Sequence, residues 1–290
     1  MRIDAHHHLW DLAAVHYPWL ETRDQPRFFG DPKPIQRNYL VDEFRETAAK
    51  RGFDASVHIQ VGAEDGLAEA RWVDSVAAAN PGWPAVQVAF ADLTDDAFDD
   101  RLASLAELPS VRGIRQIVGR APAEDRLSGT GKLLDNPDFL AGLRKVAHAG
   151  LTFDLQLHPE LMDGSAHVYA RVPELGVVLC HAGSPIDRTR EGRQYWAREL
   201  RKLSELPNMY CKLSGLGMFE HGWTPDSIRP FVETCLEQFG PERCMFGSNF
   251  PVDSLTSDYS TLVDAYSELI PPQFHEPVFG GTASEFYRIA

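Results

Sequence analysis

Three histidines stand in a row near the start of the chain, in the segment Ile3-Asp4-Ala5-His6-His7-His8-Leu9-Trp10. Neutral imidazoles bind divalent ions, polarise carbonyls and carry protons near neutral pH. Side chains alternate faces along a β-strand. A strand here therefore turns His6 and His8 to one side, about 7 Å apart, with Asp4 beneath them and His7 opposite. Other apolar runs also end in groups that carry charge, lone pairs or protons: His58 and Gln60, Arg115 and Gln116, Gln156 and His158, His181, Lys212 and Ser214, and Ser248-Asn249 with Asp253 just beyond. The core layer of a barrel would hold valine, isoleucine and leucine at such places, so the pattern points to one shared pocket. His181 stands out, preceded by Val177-Val178-Leu179-Cys180 and followed by a turn, Ala-Gly-Ser-Pro. The others have plainer readings beside the functional one. His158 can cap the loop that Pro159 opens, and His58 reads as a satisfied core histidine. Arg115 can close a structural ion pair. Alternation with Cys211 and Leu213 leaves open which way Lys212 points.

The elements that hold these groups recur with one rhythm. Strand-like runs occupy residues 3–8, 55–61, 85–90, 111–118, 152–157, 177–181, 209–214 and 243–248. Helical spacing covers 41–51, 67–79, 96–105, 136–150, 165–172, 195–206, 225–239 and 259–269, with a short last helix at 283–287. Eight strand–helix pairs are the order of a parallel (β/α)8 TIM barrel, read here as a single domain over 1–290. A doubly wound sheet is disfavoured, because no strand is followed by a G-x-G-x-x-G turn. The segment 11–39 after strand one carries Pro18, Pro26, Pro32 and Pro34 with Trp19, Phe28 and Phe29. A loop this long is usually functional, and it is expected over the pocket. A second loop, with Gly129 and Gly131, is expected between strand four and the helix that Asn136-Pro137 opens.

Composition narrows the function classes. The chain has 290 residues, 43% of them hydrophobic, which supports a large core. Its 28 basic and 42 acidic residues give a net charge of -14, which repels phosphate backbones and excludes nucleic acid as a partner. No apolar run spans a membrane, and the chain opens on a strand rather than a leader, so the expected location is the cytoplasm. Cys180, Cys211, Cys235 and Cys244 form no CxxC pair and read as reduced core residues. Monomer and homodimer both suit this composition.

Asp4-x-His6-x-His8, His181 with Ala-Gly-Ser-Pro, Phe246-Gly247-Ser248-Asn249-Phe250-Pro251, and Val111-Arg112-Gly113-Ile114-Arg115 together resemble the amidohydrolase superfamily. The chain is most similar to its lactonase branch, the L-fuconolactonases and 2-pyrone-4,6-dicarboxylate lactonases. That resemblance implies a hydrolase that opens a small cyclic ester, either a sugar lactone or a carboxylated one. It implies His6, His8 and His181 polarising the carbonyl, alone or through one divalent ion such as zinc or manganese, with metal-free catalysis also open. The family's water-activating aspartate falls on Asn249, which cannot take a proton. Asp253, His158 and His181 are then the candidate bases. Arg115, Gln116, His158 and Lys212 are the candidate substrate contacts. The choice between a sugar lactone and a carboxylated one turns on how many cations reach the pocket. The alternatives are a metal-dependent decarboxylase of an aromatic acid and an inactive binding protein on the same scaffold.

Overall fold

A computed structural model of the chain describes residues 1–22, 27–128 and 130–290. In chain order the elements are β1 (Ile3–His7), α1 (Pro18–Glu21), α2 (Val41–Ala49), β2 (Ala55–Ile59), α3 (Gly66–Ala79), β3 (Val86–Ala89), α4 (Phe98–Ala106), β4 (Val111–Ile114), α5 (Pro122–Ser128), α6 (Pro137–His148), β5 (Thr152–Leu155), α7 (Met162–Tyr169), β6 (Val177–Leu179), α8 (Arg190–Ser204), β7 (Met209–Leu213), α9 (Pro225–Phe239), β8 (Cys244–Phe246), α10 (Tyr259–Leu269) and α11 (Thr282–Tyr287). The eight strands lie side by side in sequence order, each parallel to the next. The sheet curls round until β8 meets β1. There the Asn249 N–H donates to His6 O at 2.7 Å, and the His8 N–H donates to Phe250 O at 2.8 Å. This is the expected TIM barrel.

The apolar pattern explains the layers. Ile3, Ala5, Val57, Ile59, Val88, Val178 and Met245 fill the barrel, and Ala283, Phe286 and Tyr287 of α11 pack against them as a plug. Residues of alternate parity, such as Phe153 and Leu213, pack outward with Phe139 of α6 and Phe231 of α9. Each such aromatic contributes about 1.5–3 kcal/mol by leaving water. Helix starts are chemically marked. The Asn136 side chain accepts the Asp138 N–H ahead of α6, and Thr224 and Ser227 form a capping box on α9.

Three expectations change. Most strands are shorter than their apolar runs, so Gln60, Arg115, Gln116, Gln156, His158, His181, Ser214 and Asn249 stand just past a strand end. The stretch after β4 is not an open loop: α5 begins with Pro122, carries Glu124 and Asp125 in its first turn, and is followed by a short helical turn, Thr130–Asp135. Proline and acidic residues favour a helix start, a signal that the neighbouring glycines hid. Gly129 and Pro26 lie outside the described residues. Asp4, finally, is not beneath His6 and His8. β1 pairs Asp4 with Ser56 but His7 with His58, so an extra residue on β1 resets the alternation between them. Asp4 instead accepts the Tyr259 O–H of α10 at 3.0 Å and the Ser248 N–H at 2.9 Å. His7 stacks on Phe44 at 3.8 Å, on the helix side.

The segment 11–39 is tied down at both ends. Trp10 and Tyr39 exchange backbone hydrogen bonds of 3.0 Å, and the Trp19 Nε1–H donates to Val61 O at 2.6 Å. Glu69 of α3 accepts the Tyr17 O–H at 3.3 Å and the Val61 N–H at 3.0 Å. Burial pushes its carboxyl up to about 7. A carboxyl raised on folding binds its proton more tightly in the native state, so its stabilisation holds at acid pH and fades as pH rises from about 4.5 through 7. The Glu69→Gln variant is expected to lose that part of the pH dependence. Thermal melts at pH 5 and pH 8 should differ less for the variant than for the wild type.

Candidate active site

A cavity of about 760 Å³ opens at the C-terminal ends of the strands. His8, His181, Asn249, Arg115, Gln116, Gln60 and Gln156 form its polar wall. Trp19, Phe28 and Phe29 of the segment 11–39 form much of its apolar wall. His6 stands behind this wall, its ring centroid 4.5 Å from that of His181 and 5.2 Å from that of His8.

Local backbone explains how these groups converge. His181 (φ 53°) and Asn249 (φ 57°) both take the left-handed conformation just after their strands. For a histidine this conformation is uncommon and costs free energy, and such strain gathers at functional sites. Glycines make room. A Cβ on Gly215 would stand 2.4 Å from Nδ1 of His181, and one on Gly247 would stand 2.5 Å from Cβ of His6.

Electrostatics then sets the protonation states. Burial, helped by nearby cations, holds His6, His8 and His181 well below the ordinary imidazole range. For His8 and His181 the main cation is Arg115; for His6 it is Lys212. All three are therefore neutral at pH 7, with lone pairs available. Nδ1 of His8 lies 2.7 Å from Ile59 O, and Nδ1 of His181 lies 3.0 Å from Ser214 Oγ. Arg115 donates to Gln156 Oε1 at 3.1 Å and to Gln60 O. Gln116 links Leu93 N–H and Asp92, at 2.9 and 2.8 Å.

Other expected residues sit elsewhere. Lys212 is fully buried beside His6, with Nζ 2.6 Å from Asp154 Oδ2, and does not line the cavity. Tyr287 donates to both oxygens of that carboxylate at 2.9 and 3.0 Å. His158 also lies behind the wall, its Nε2 2.9 Å from Asp125 Oδ2. Asp253 is buried behind Asn249 and accepts its Nδ2–H at 2.7 Å. His58 points toward His7, with ring centroids 5.9 Å apart. Sequence reading missed Arg27 and Arg120, which line the cavity from loops without periodicity. It also missed Asp154, although a charge between Phe153 and Leu155 in an apolar strand was a visible signal.

The donor atoms fit a metal ion in part. Among the described residues both ring nitrogens of His6 are buried without a partner. One donor atom each from His6, Asp154 and Cys180 lies within 4.8 Å of the others, a set of nitrogen, oxygen and sulfur that suits zinc. The Lys212 ammonium competes for the same carboxylate. The expected set differs: among the described residues the ring nitrogens of His6, His8 and His181 do not all come this close to one another.

Comparisons with known proteins show the family. The sequence pattern of the amidohydrolase family matches residues 3–289. The chain is 33% identical over 295 residues to an uncharacterized protein of Sinorhizobium fredii, covering 99% of this chain and 98% of that one. It is 29% identical over 299 residues to an L-fucono-1,5-lactonase of Burkholderia ambifaria, covering 99% and 96%. A crystal structure of an amidohydrolase from Burkholderia multivorans with bound zinc superposes with a TM-score of 0.84 at 25% identity, over 100% of both chains.

The Lys212–Asp154 pair gives a stability prediction. Lys212→Met leaves a carboxylate buried without its cation, which costs about 3–5 kcal/mol. The double variant Lys212→Met/Asp154→Asn should recover part of that loss, read as the urea midpoint.

Proposed function

The chain belongs to the amidohydrolase family, and from that premise we propose that it hydrolyses a small cyclic ester bearing a carboxylate. The observation that carries this reading is the shared cavity, where neutral His8 and His181 stand beside the Arg115 guanidinium. Ester hydrolysis needs a proton acceptor for water and a stabiliser for the oxyanion. His8 supplies the first. A backbone carbonyl only accepts, so the contact with Ile59 O keeps the ring proton on Nδ1 and leaves the Nε2 lone pair for water. His181 and Arg115 supply the second. When the Ser214 hydroxyl donates to Nδ1 of His181, the ring's other nitrogen carries a proton to give to the carbonyl oxygen. Arg115 adds fixed positive charge in a water-poor wall. Collapse of the tetrahedral adduct breaks the ring C–O bond, and the leaving alkoxide takes the proton held by His8. A divalent ion held by His6 with Asp154 and Cys180 would supply Lewis-acid chemistry beside these groups.

The substrate class follows from the cations. Arg27, Arg115 and Arg120 all line the cavity. Nε of Arg27 and of Arg115 has no hydrogen-bond partner among the described residues, and burial holds Arg120 below its ordinary value. Three guanidiniums against Asp92 and Glu124 favour an anionic ring, and guanidinium pairs with carboxylate in a two-point geometry. Trp19, Phe28 and Phe29 offer flat surfaces to the ring itself. A panel of lactones assayed for acid release tests this. Arg120→Ala should raise KM about tenfold for a carboxylated lactone and little for a neutral one. Carbon dioxide release from an aromatic acid, with no lactone opened, would contradict the reading.

A further inference from the structure

We infer that Asp253 is a positioning residue: it turns the Asn249 amide so that its oxygen and Nε2 of His8 together form a two-acceptor seat for the attacking water. This rests on the hydrolytic reading above and says how that reaction proceeds with an amide at position 249.

The hydrogen-bond directions are forced one after another. Nδ1 of His8 lies 2.7 Å from Ile59 O, so the proton of the neutral ring is on Nδ1 and Nε2 carries a lone pair. The next group is the Asn249 side chain, with Oδ1 3.3 Å from Nε2. An amide beside a lone pair would ordinarily turn its NH2 toward it. Here Nδ2 is already committed, because it donates to Asp253 Oδ1 at 2.7 Å. The backbone leaves no slack: the Asn249 N–H donates to His6 O at 2.7 Å, and the Asp253 N–H to Asn249 O at 3.2 Å. Two acceptors therefore face each other, and both residues line the cavity while Asp253 stands behind them.

Opposed lone pairs at this distance repel unless a donor stands before them. A water can give one hydrogen to each and direct its own lone pair at the substrate carbonyl. As the new C–O bond forms, the proton on the Nε2 side passes to His8 and its electron pair stays on the water oxygen. The ring C–O bond then breaks, and the alkoxide takes that proton. A carboxylate at 249 would orient the water and accept its proton. Here Asn249 does the first and His8 the second.

Asp253 thus acts through Asn249, and the acceptor it offers can be separated from its charge. Among the described residues Asp253 Oδ2 has no partner, so an amide at 253 can keep its oxygen toward Asn249 without breaking another hydrogen bond. The test compares wild type, Asp253→Leu and Asp253→Asn, with kcat, KM and metal content for each. It also follows the His8 ring nitrogens by long-range 15N NMR. In Asp253→Leu the freed Asn249 amide swings its NH2 onto His8 Nε2. We expect kcat to fall about 100-fold with KM unchanged, metal content to hold, and the Nε2 resonance to move upfield. Asp253→Asn should restore most of the rate and the wild-type resonance. A rate in Asp253→Asn as low as in Asp253→Leu would overturn the inference and make Asp253 itself the base. Full activity in Asp253→Leu, or metal lost with the rate, would overturn it too. Should Asp253→Leu not fold, Asp253→Ala replaces it, and Asp253→Asn alone still separates acceptor from base. If the wild type opens no lactone, the hydrolytic reading fails, and an unmoved Nε2 resonance in Asp253→Leu would overturn the amide orientation on its own.

Discussion

The barrel closes at its candidate active site. Two backbone hydrogen bonds join the end of β8 to the end of β1, and their partners are Asn249 with His6 and His8 with Phe250. Each is worth only about 1 kcal/mol net, but an unclosed seam would leave a sheet edge and expose the core. The same two bonds fix where His6, His8 and Asn249 stand. Gly247 lets the strands approach, since any larger residue would meet His6. The left-handed turn at Asn249 then sends the next residues back across the seam. Fold closure and site geometry are one constraint, so the site inherits the rigidity of the barrel.

Burial then decides the chemistry. Removing His6, His8 and His181 from water keeps them neutral, with lone pairs rather than charge. Positive charge enters through fixed groups instead. Arg115 is held in the wall, and Lys212 is held by Asp154, whose carboxylate also accepts the Tyr287 O–H. A buried ion pair of this kind adds little net stability but fixes a charge in place. Its proximity to His6 reinforces the neutral state of that ring. The aromatic segment 11–39 covers the pocket from the other side, pinned through Trp19 and Tyr17 to the end of β2 and to α3.

Much of this was legible because strand ends in a parallel barrel converge by topology. His8, His181, Asn249, Arg115 and Gln116 reach the cavity, and Trp19, Phe28 and Phe29 wall it. What was not legible depends on offsets that the pattern does not encode. The extra residue in β1 sends Asp4 to Tyr259, where simple alternation put it under the imidazoles. Lys212 had two open orientations, and only its distant partner Asp154 settles which one it takes. His158 faces Asp125, which lies in a helix that the glycines around it disguised. Arg27 and Arg120 come from aperiodic loops, where no sequence rule assigns a direction. Side-chain pairings across 25 or more residues are set by tertiary packing, and such pairings account for most of these differences.

The proposed chemistry depends on water attacking a carbonyl in this cavity. The most direct measurement is turnover of a carboxylated lactone in 18O-labelled water, with the product analysed by mass spectrometry. Hydrolysis by the attack described here places one 18O in the new carboxyl group of a ring-opened hydroxy acid. Product formed without label, or a product one carbon dioxide lighter than the substrate, would contradict it.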